Sequence, residues 1–265
     1  MRTVLITGAT AGLGAAFARR AARDGHAVVL VARDGERLRR VANELTATHR
    51  TPTEVLPADL GTEEGLRAVE HRLSDAGSPV DVLVNNAGFG LRDRFLQASL
   101  EQELTMLRVH CEAVLRLTTA AVTGMRERGR GAVVNVASVA AFVPRGTYGA
   151  SKAWVAQFTQ GAAVDLASEG VRLMALCPGL VRTEFHQRAG MGTEDVPGWM
   201  WLDADRVVDA ALRDLARGRT LSVPDLRYKT LAGVTKLVPR GWLGRVSSRS
   251  TGRYGPRRGD RTTTD

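Results

Sequence analysis

The sequence predicts an α/β fold: a single domain on a Rossmann-type, doubly wound parallel sheet flanked by helices on both faces. Two observations carry this. Over the first 180 residues, short β-branched runs alternate with longer helical patterns, as in repeated strand–helix–strand units. The runs VLIT, VVLVA and AVVNVA are apolar almost throughout, as strands are when a parallel sheet is covered on both sides.

The elements follow in order. Thr3–Thr7 reads as a strand and Gly12–Arg23 as a helix. His26–Ala32 is a strand, Gly35–Ala47 a helix, Thr53–Pro57 a short extended run and Glu63–Asp75 a helix. Val80–Asn85 is the next strand. Leu104, Leu107, Cys111, Val114, Leu117, Ala121 and Met125 recur at three- and four-residue spacing, which predicts one long helix with a buried face. Gly131–Ala137 is a strand, Tyr148–Ser168 a helix and Val171–Cys177 a strand. A Pro/Gly-rich loop over about 178–202 carries Phe185, Trp199 and Trp201, and a loop of that length is usually functional. Its apolar 191–202 part would suit a hydrophobic substrate. Asp203–Arg217 is helical and Thr220–Val223 a last strand, which closes the domain at about residue 225. Residues 226–246 form an amphipathic basic segment broken by Pro239, and the Ser/Arg/Gly/Thr-rich 247–265 reads as disordered.

Composition narrows the function classes. With 44% hydrophobic and 25% charged residues, the 265-residue chain has material for a core, which excludes a wholly disordered protein. No apolar run approaches the ~18 residues needed to cross a bilayer, and the first residues lack a signal-peptide core. Two cysteines, Cys111 and Cys177, make no disulfide framework, so a cytoplasmic setting is expected and both read as buried fillers. His26, His49, His71 and His186 share no metal-ligand spacing, so no metal is expected. Of the net charge of +9, most lies at one end. Residues 227–265 hold ten Lys/Arg against two Asp/Glu, whereas the preceding 226 hold 27 against 26. That near-neutral body argues against a nucleic-acid-binding protein. The basic segment, with Leu226, Leu231, Val234, Leu237 and Trp242 among its cations, could dock on the body or lie against an anionic membrane surface.

Two motifs carry chemistry. The first strand ends in Thr7-Gly8-Ala9-Thr10-Ala11-Gly12-Leu13-Gly14 and runs directly into a helix. A glycine-rich turn lets backbone approach a pyrophosphate, and the helix N-terminus offers free N–H groups. Tyr148 and Lys152 stand four residues apart, on one face of a helix. An ammonium beside a phenol lowers its pKa and would make Tyr148 an acid/base near neutral pH. The pair follows Asn135-Val136-Ala137-Ser138 at a strand's carboxyl end, where ligands bind in open α/β sheets.

With the glycine turn, Asn85-Asn86-Ala87-Gly88, Ser138, Tyr148-x-x-x-Lys152 and Pro178-Gly179 in that order, the chain resembles the short-chain dehydrogenase/reductase family over roughly residues 1–223. The resemblance implies an NAD(H)- or NADP(H)-dependent enzyme that moves a hydride between an alcohol and a carbonyl. It implies Tyr148 as acid/base, Lys152 lowering its pKa and holding the ribose, and Ser138 on the reacting oxygen. Gly8, Thr10, Ala11, Gly12, Leu13 and Gly14 would hold the pyrophosphate. Asp59 and Leu60 would meet the adenine, Asn86, Ala87 and Gly88 the adenosine ribose side, and Pro178, Gly179 and Thr183 the nicotinamide.

Two departures stand out. His110 occupies the position where the family places a helix asparagine that holds a relay water. An imidazole could do the same and couple the relay to pH, or be an ordinary helix histidine. Ser138 precedes Tyr148 by ten residues where the family has twelve or thirteen. Counting back thirteen reaches Asn135, but Ser138 fits the strand-end pattern better. For the cofactor, Ala32 stands where NAD-preferring relatives have an acid, and Arg33 follows, suited to a 2′-phosphate. Asp34 reads as a helix N-cap. NADP(H) is therefore preferred, with NAD(H) open. The resemblance also implies a homo-oligomer, dimer or tetramer, through the long helix and the Tyr148–Ser168 helix. A hydrophobic ketone or 3-oxoacyl-type carbonyl/alcohol is the expected small-molecule substrate. A catalytically idle dinucleotide-binding regulator is the alternative, and it would keep the glycine turn but lose the Tyr/Lys pair.

Overall fold

The computed structural model describes residues 1–91, 96–185 and 196–237. Its seven strands form one all-parallel sheet in the order β3-β2-β1-β4-β5-β6-β7. They are β1 (Thr3–Thr7), β2 (Ala27–Ala32), β3 (Thr53–Pro57), β4 (Val82–Asn85), β5 (Gly131–Val136), β6 (Val171–Leu176) and β7 (Leu221–Ser222). The order reverses between β1 and β4, so a crevice opens there at the strands' carboxyl ends.

Alternation along each strand builds two cores. Val4 and Ile6 of β1, with Val28 and Leu30 of β2, face α1 (Gly12–Arg23), α2 (Gly35–His49) and α7 (Ala204–Ala216). Leu5, Val29 and Val31 face the other way, toward α3 (Glu63–Leu73) and α5 (Ala113–Glu127). Strands buried on both faces explain why their sequences lack polar interruptions. Surface ion pairs such as Arg19–Asp205 at 2.8 Å join α1 to α7, but exposed pairs are worth only ~0–1 kcal/mol. Burial of Ala16, Phe17, Val207, Val208 and Ala211 dominates that contact.

Side-chain caps set several helix starts. Asp34 Oδ1 accepts the Arg37 N–H at 2.9 Å at the head of α2, the capping role its sequence position suggested. Thr62 caps α3, Asp203 caps α7, and Ser99 with Gln102 forms a capping box at α4 (Leu100–Leu107).

The expected long helix forms, with one wider turn inside it. Between α4 and α5 the backbone widens into a π-helical turn, Arg108–Glu112. The extra residue in this turn swings His110 to a fully buried position. After β5 a short 3-10 turn, Val139–Phe142, leads to α6 (Gly146–Asp165). The chain beyond β7 continues as α8 (Leu226–Leu237), whose first turn packs on the body through Tyr228 while Leu226 stays exposed. Pro239, Trp242 and the 247–265 tail lie outside the described residues, as does 186–195 of the long loop. Among the described residues, no helix is long and apolar enough to cross a membrane. Cys177 is buried and free, whereas the free Cys111 is only partly covered, which corrects the expectation that both fill the core.

Candidate active site

The expected catalytic and cofactor-binding residues lie at the carboxyl ends of strands or in the loops and helices that follow. The β1–α1 turn is a cradle of bare backbone. Gly8 and Gly12 have φ of +67° and +56°, in the left-handed region that glycine tolerates best. A Cβ on Gly14 would stand 2.2 Å from the Gly8 carbonyl oxygen. Thr10, Ala11 and Leu13 complete the turn. Helix α1 opens there with no side-chain cap and no acidic residue in its first turn, unlike α2, α3, α4 and α7. Free N–H groups, a positive dipole end and absent side chains together fit a pyrophosphate.

Thr183 closes this cradle from the β6 side, its Cγ2 3.0 Å from where a Gly12 Cβ would stand. Asn86 lies across it. Its side-chain amide donates to the carbonyls of Thr7 (2.9 Å) and Gly8 (3.2 Å), and the N–H groups of Asn86 and Ala87 donate to Thr7 Oγ1, both at 3.0 Å. The Asn86 side chain thus ties β4 to β1 instead of facing open space. Beyond β3, where the adenine is expected, Asp59 Oδ1 accepts the Gly61 N–H at 2.9 Å and Leu60 is buried. Arg33 is exposed just beyond β2, while Arg37, one turn on, is held by Glu184 at 3.1 Å.

The residues expected to react meet beyond β5. Ser138 Oγ accepts the Ala140 N–H at 3.1 Å, which fixes the oxygen, and the serine side chain stands beside the Tyr148 phenol, where it favours the ionised form. The ten residues from Ser138 to Tyr148 run through the 3-10 turn and into the first turn of α6. Asn135 points elsewhere, into a buried network with Asn85 (2.9 Å) and Thr159 (3.0 Å). Lys152 is buried, donates to the Val136 carbonyl at 2.9 Å and sits 6.0 Å from the Tyr148 ring centre. Burial lowers its pKa to about 8.

The expected lowering of Tyr148 by Lys152 is not what the protein alone produces. Burial raises the phenol, and Ser138 and Arg145 oppose that rise. Lys152 spends its ammonium on the Val136 carbonyl instead. In the protein itself Tyr148 is therefore held as the protonated acid.

His110 has both ring nitrogens engaged. Nε2 accepts the Phe89 N–H at 3.2 Å, which leaves the proton on Nδ1. Nδ1 then donates to Ser151 Oγ at 2.9 Å, and Ser151 donates to the Tyr148 carbonyl at 2.8 Å. Burial first and the Lys152 charge second push its pKa well below the ordinary histidine value, so the ring stays neutral. A Cβ on Gly88 would stand 2.9 Å from Nε2, so only glycine admits the imidazole there.

Sequence reasoning missed Ser151 and Tyr228 as neighbours of the site and gave Phe185 only as an aromatic of the long loop. Ser151, within the Tyr-x-x-Ser-Lys run, could have been found from its shared face with Tyr148. Phe185 lies 6.2 Å from the Tyr148 ring, an apolar neighbour whose position only the fold reveals. Tyr228 packs on Gly179, whose Cβ would lie 2.2 Å from the ring. It was one aromatic among cations and carried no signal. The site can hold a carbonyl oxygen at two hydroxyls and give it a proton.

Comparison with known proteins agrees with this geometry. The family model described as short chain dehydrogenase matches residues 2–193. Sulfoacetaldehyde reductase 2 of Chromohalobacter salexigens is 41% identical over 187 residues, 69% of this chain and 73% of that protein. The NADP-dependent 3-hydroxy acid dehydrogenase YdfG of Salmonella typhi is 36% identical over 200 residues, 74% of this chain and 79% of its own. Among solved structures, a short-chain dehydrogenase from Sphingobium yanoikuyae in complex with NADPH superposes with a TM-score of 0.82 at 34% identity, covering 100% of both chains. The bulky-bulky ketone specific alcohol dehydrogenase from Comamonas testosteroni gives 0.78 at 30% identity, covering 99% of this chain and 97% of that one.

Proposed function

The chain belongs to the short-chain dehydrogenase family and is an NAD(P)-dependent oxidoreductase, and on that premise we propose that it reduces hydrophobic ketones with NADPH. The observation that carries this is Tyr148 beside Ser138 and a buried Lys152, with Phe185 against the phenol. The dinucleotide, when bound, supplies the hydride. Gly8, Thr10, Ala11, Gly12, Leu13 and Gly14 would hold its pyrophosphate, Asp59 and Leu60 its adenine, and Asn86, Ala87 and Gly88 the ribose side. Pro178, Gly179 and Thr183 would hold the nicotinamide.

Ser138 orients the carbonyl oxygen and Tyr148 protonates it as it becomes an alkoxide. A phenol held neutral by burial suits proton donation to the forming alkoxide. Lys152 keeps a positive charge under the site below about pH 8. His110 is a positioning residue here: it joins the Phe89 backbone to Ser151 and the Tyr148 carbonyl, and so braces the catalytic helix against the β4 loop. Arg33 supports the choice of NADPH, because a charge-assisted bond to a 2′-phosphate is worth ~1.5–3 kcal/mol. Free thiols are compatible with a cytoplasmic setting. Exposed Leu104, Leu107, Leu115, Trp154 and Val164 on α4, α5 and α6 support assembly as a homo-oligomer.

The test is cofactor oxidation by the wild-type protein across small aliphatic, diaryl, steroid and 3-oxoacyl ketones. Faster consumption of NADPH than NADH with a bulky apolar ketone is expected. Preference for NADH would remove the role of Arg33, and no turnover of any ketone would remove the substrate reading.

A further inference from the structure

We propose that Tyr228, in the first turn of α8, is a positioning residue that clasps the two ends of the substrate loop and thereby sets how bulky a ketone is accepted. Its substrate rests on the ketone reading above. Its new content is a task for the C-terminal helix.

The Tyr228 ring is buried, and its hydroxyl works in both directions. It accepts the Leu180 N–H at 3.2 Å and donates to the Met200 carbonyl at 2.9 Å. Leu180 begins the loop and Met200 ends it. The same two ends pair with each other: Leu202 N–H donates to the Leu180 carbonyl at 2.7 Å, and Arg182 N–H to the Leu202 carbonyl at 3.0 Å. Arg227 adds a second tie. It is oriented by Asp225 at 2.9 Å, donates to the Trp199 carbonyl and lies 5.9 Å from the Trp199 ring centre.

The clasp reaches the reacting groups by two routes. Gly179 has no side chain, and that absence admits the Tyr228 ring against the corner read as the nicotinamide wall. Helix α8 also packs on the 3-10 turn that follows Ser138, and the Val139 N–H in that turn donates to the Pro178 carbonyl at 3.0 Å. One helix therefore backs both walls of the site. Five residues beyond Leu180, Phe185 meets the Tyr148 ring, so a shift at the base of the loop moves the apolar wall beside the phenol.

Phenylalanine would fill the same space but drop both hydroxyl bonds. The decisive variant is Tyr228→Phe in the full chain. A lost hydrogen bond of ordinary strength corresponds to roughly a three- to tenfold change. Backbone amides of 180–185 and 198–202 should exchange hydrogen about that much faster, with β1 and β4 unchanged. KM for a diaryl ketone should shift by a similar factor, while kcat and the KM for a small aliphatic ketone stay near wild type. Gly179→Ala, by expelling the ring, should loosen the same amides in the wild type and add nothing to Tyr228→Ala. Equal exchange in Tyr228→Phe and wild type overturns the clasp, as does loosening spread over the whole sheet. If the wild type reduces no ketone, the substrate reading falls and the exchange result still decides the clasp. If exchange changes but the KM ratio does not, the control of ketone size is overturned.

Discussion

Lys152 and His110 titrate away from their ordinary values for the same reason: both cations would be buried. For Lys152, a folded pKa of about 8 against 10.5 means that the fold disfavours its charge. The resulting stability penalty is fully present below pH 8 and is relieved as pH rises toward the unfolded value. On the proposed mechanism catalysis runs the other way, because there the charged form is the useful one. Ketone reduction, followed as kcat/KM, should fall above about pH 8. It should be flat through the ordinary histidine range, because His110 is neutral there and uses its ring to hold Phe89 and Ser151. His110→Asn should leave that profile unchanged, while His110→Leu should lower kcat by loosening the catalytic helix. An inflection near pH 6.5 that disappears in His110→Asn would show that His110 titrates in the reaction.

At the scale of elements, the β1–α1 unit is the most demanding. Gly14→Ala drives a methyl into the Gly8 carbonyl, and backbone cannot step aside as a side chain can. We expect a loss of ~1–3 kcal/mol of stability and of dinucleotide binding together, measured by thermal melts with and without NADPH. An unchanged melting shift on NADPH addition would show that the turn is not the cradle. This unit was legible in the sequence because strand, glycines and helix are contiguous. Strand positions were legible too, since burial on both faces leaves unbroken apolar runs. The π turn was not. Its side-chain spacing is nearly that of an α-helix, and the partners His110 meets there, Phe89 and Ser151, are distant in sequence. The position of α8 was equally hidden, because a basic amphipathic pattern fits docking or an anionic surface alike. Only the fold places Tyr228 over a missing side chain at Gly179.

Taken as a whole, the molecule is a parallel sheet whose crevice gathers residues from beyond six strands, with exposed apolar side chains on α4, α5 and α6. Trp154 stacks on Phe158 at 5.0 Å and is about one-third exposed, at 37%. Trp154→Glu should shift sedimentation toward monomer without altering the melt. A wild type that already sediments as a monomer would show that this surface has another use. The central claim is that one phenol, poised by Ser138 above Lys152, protonates the carbonyl. Its most direct test is Tyr148→Phe, with turnover and dinucleotide affinity measured on the same preparation. The account predicts turnover lower by about 10²–10⁴-fold with NADPH still bound as in the wild type, since only the proton donor is lost. Turnover close to wild type in that variant would contradict it.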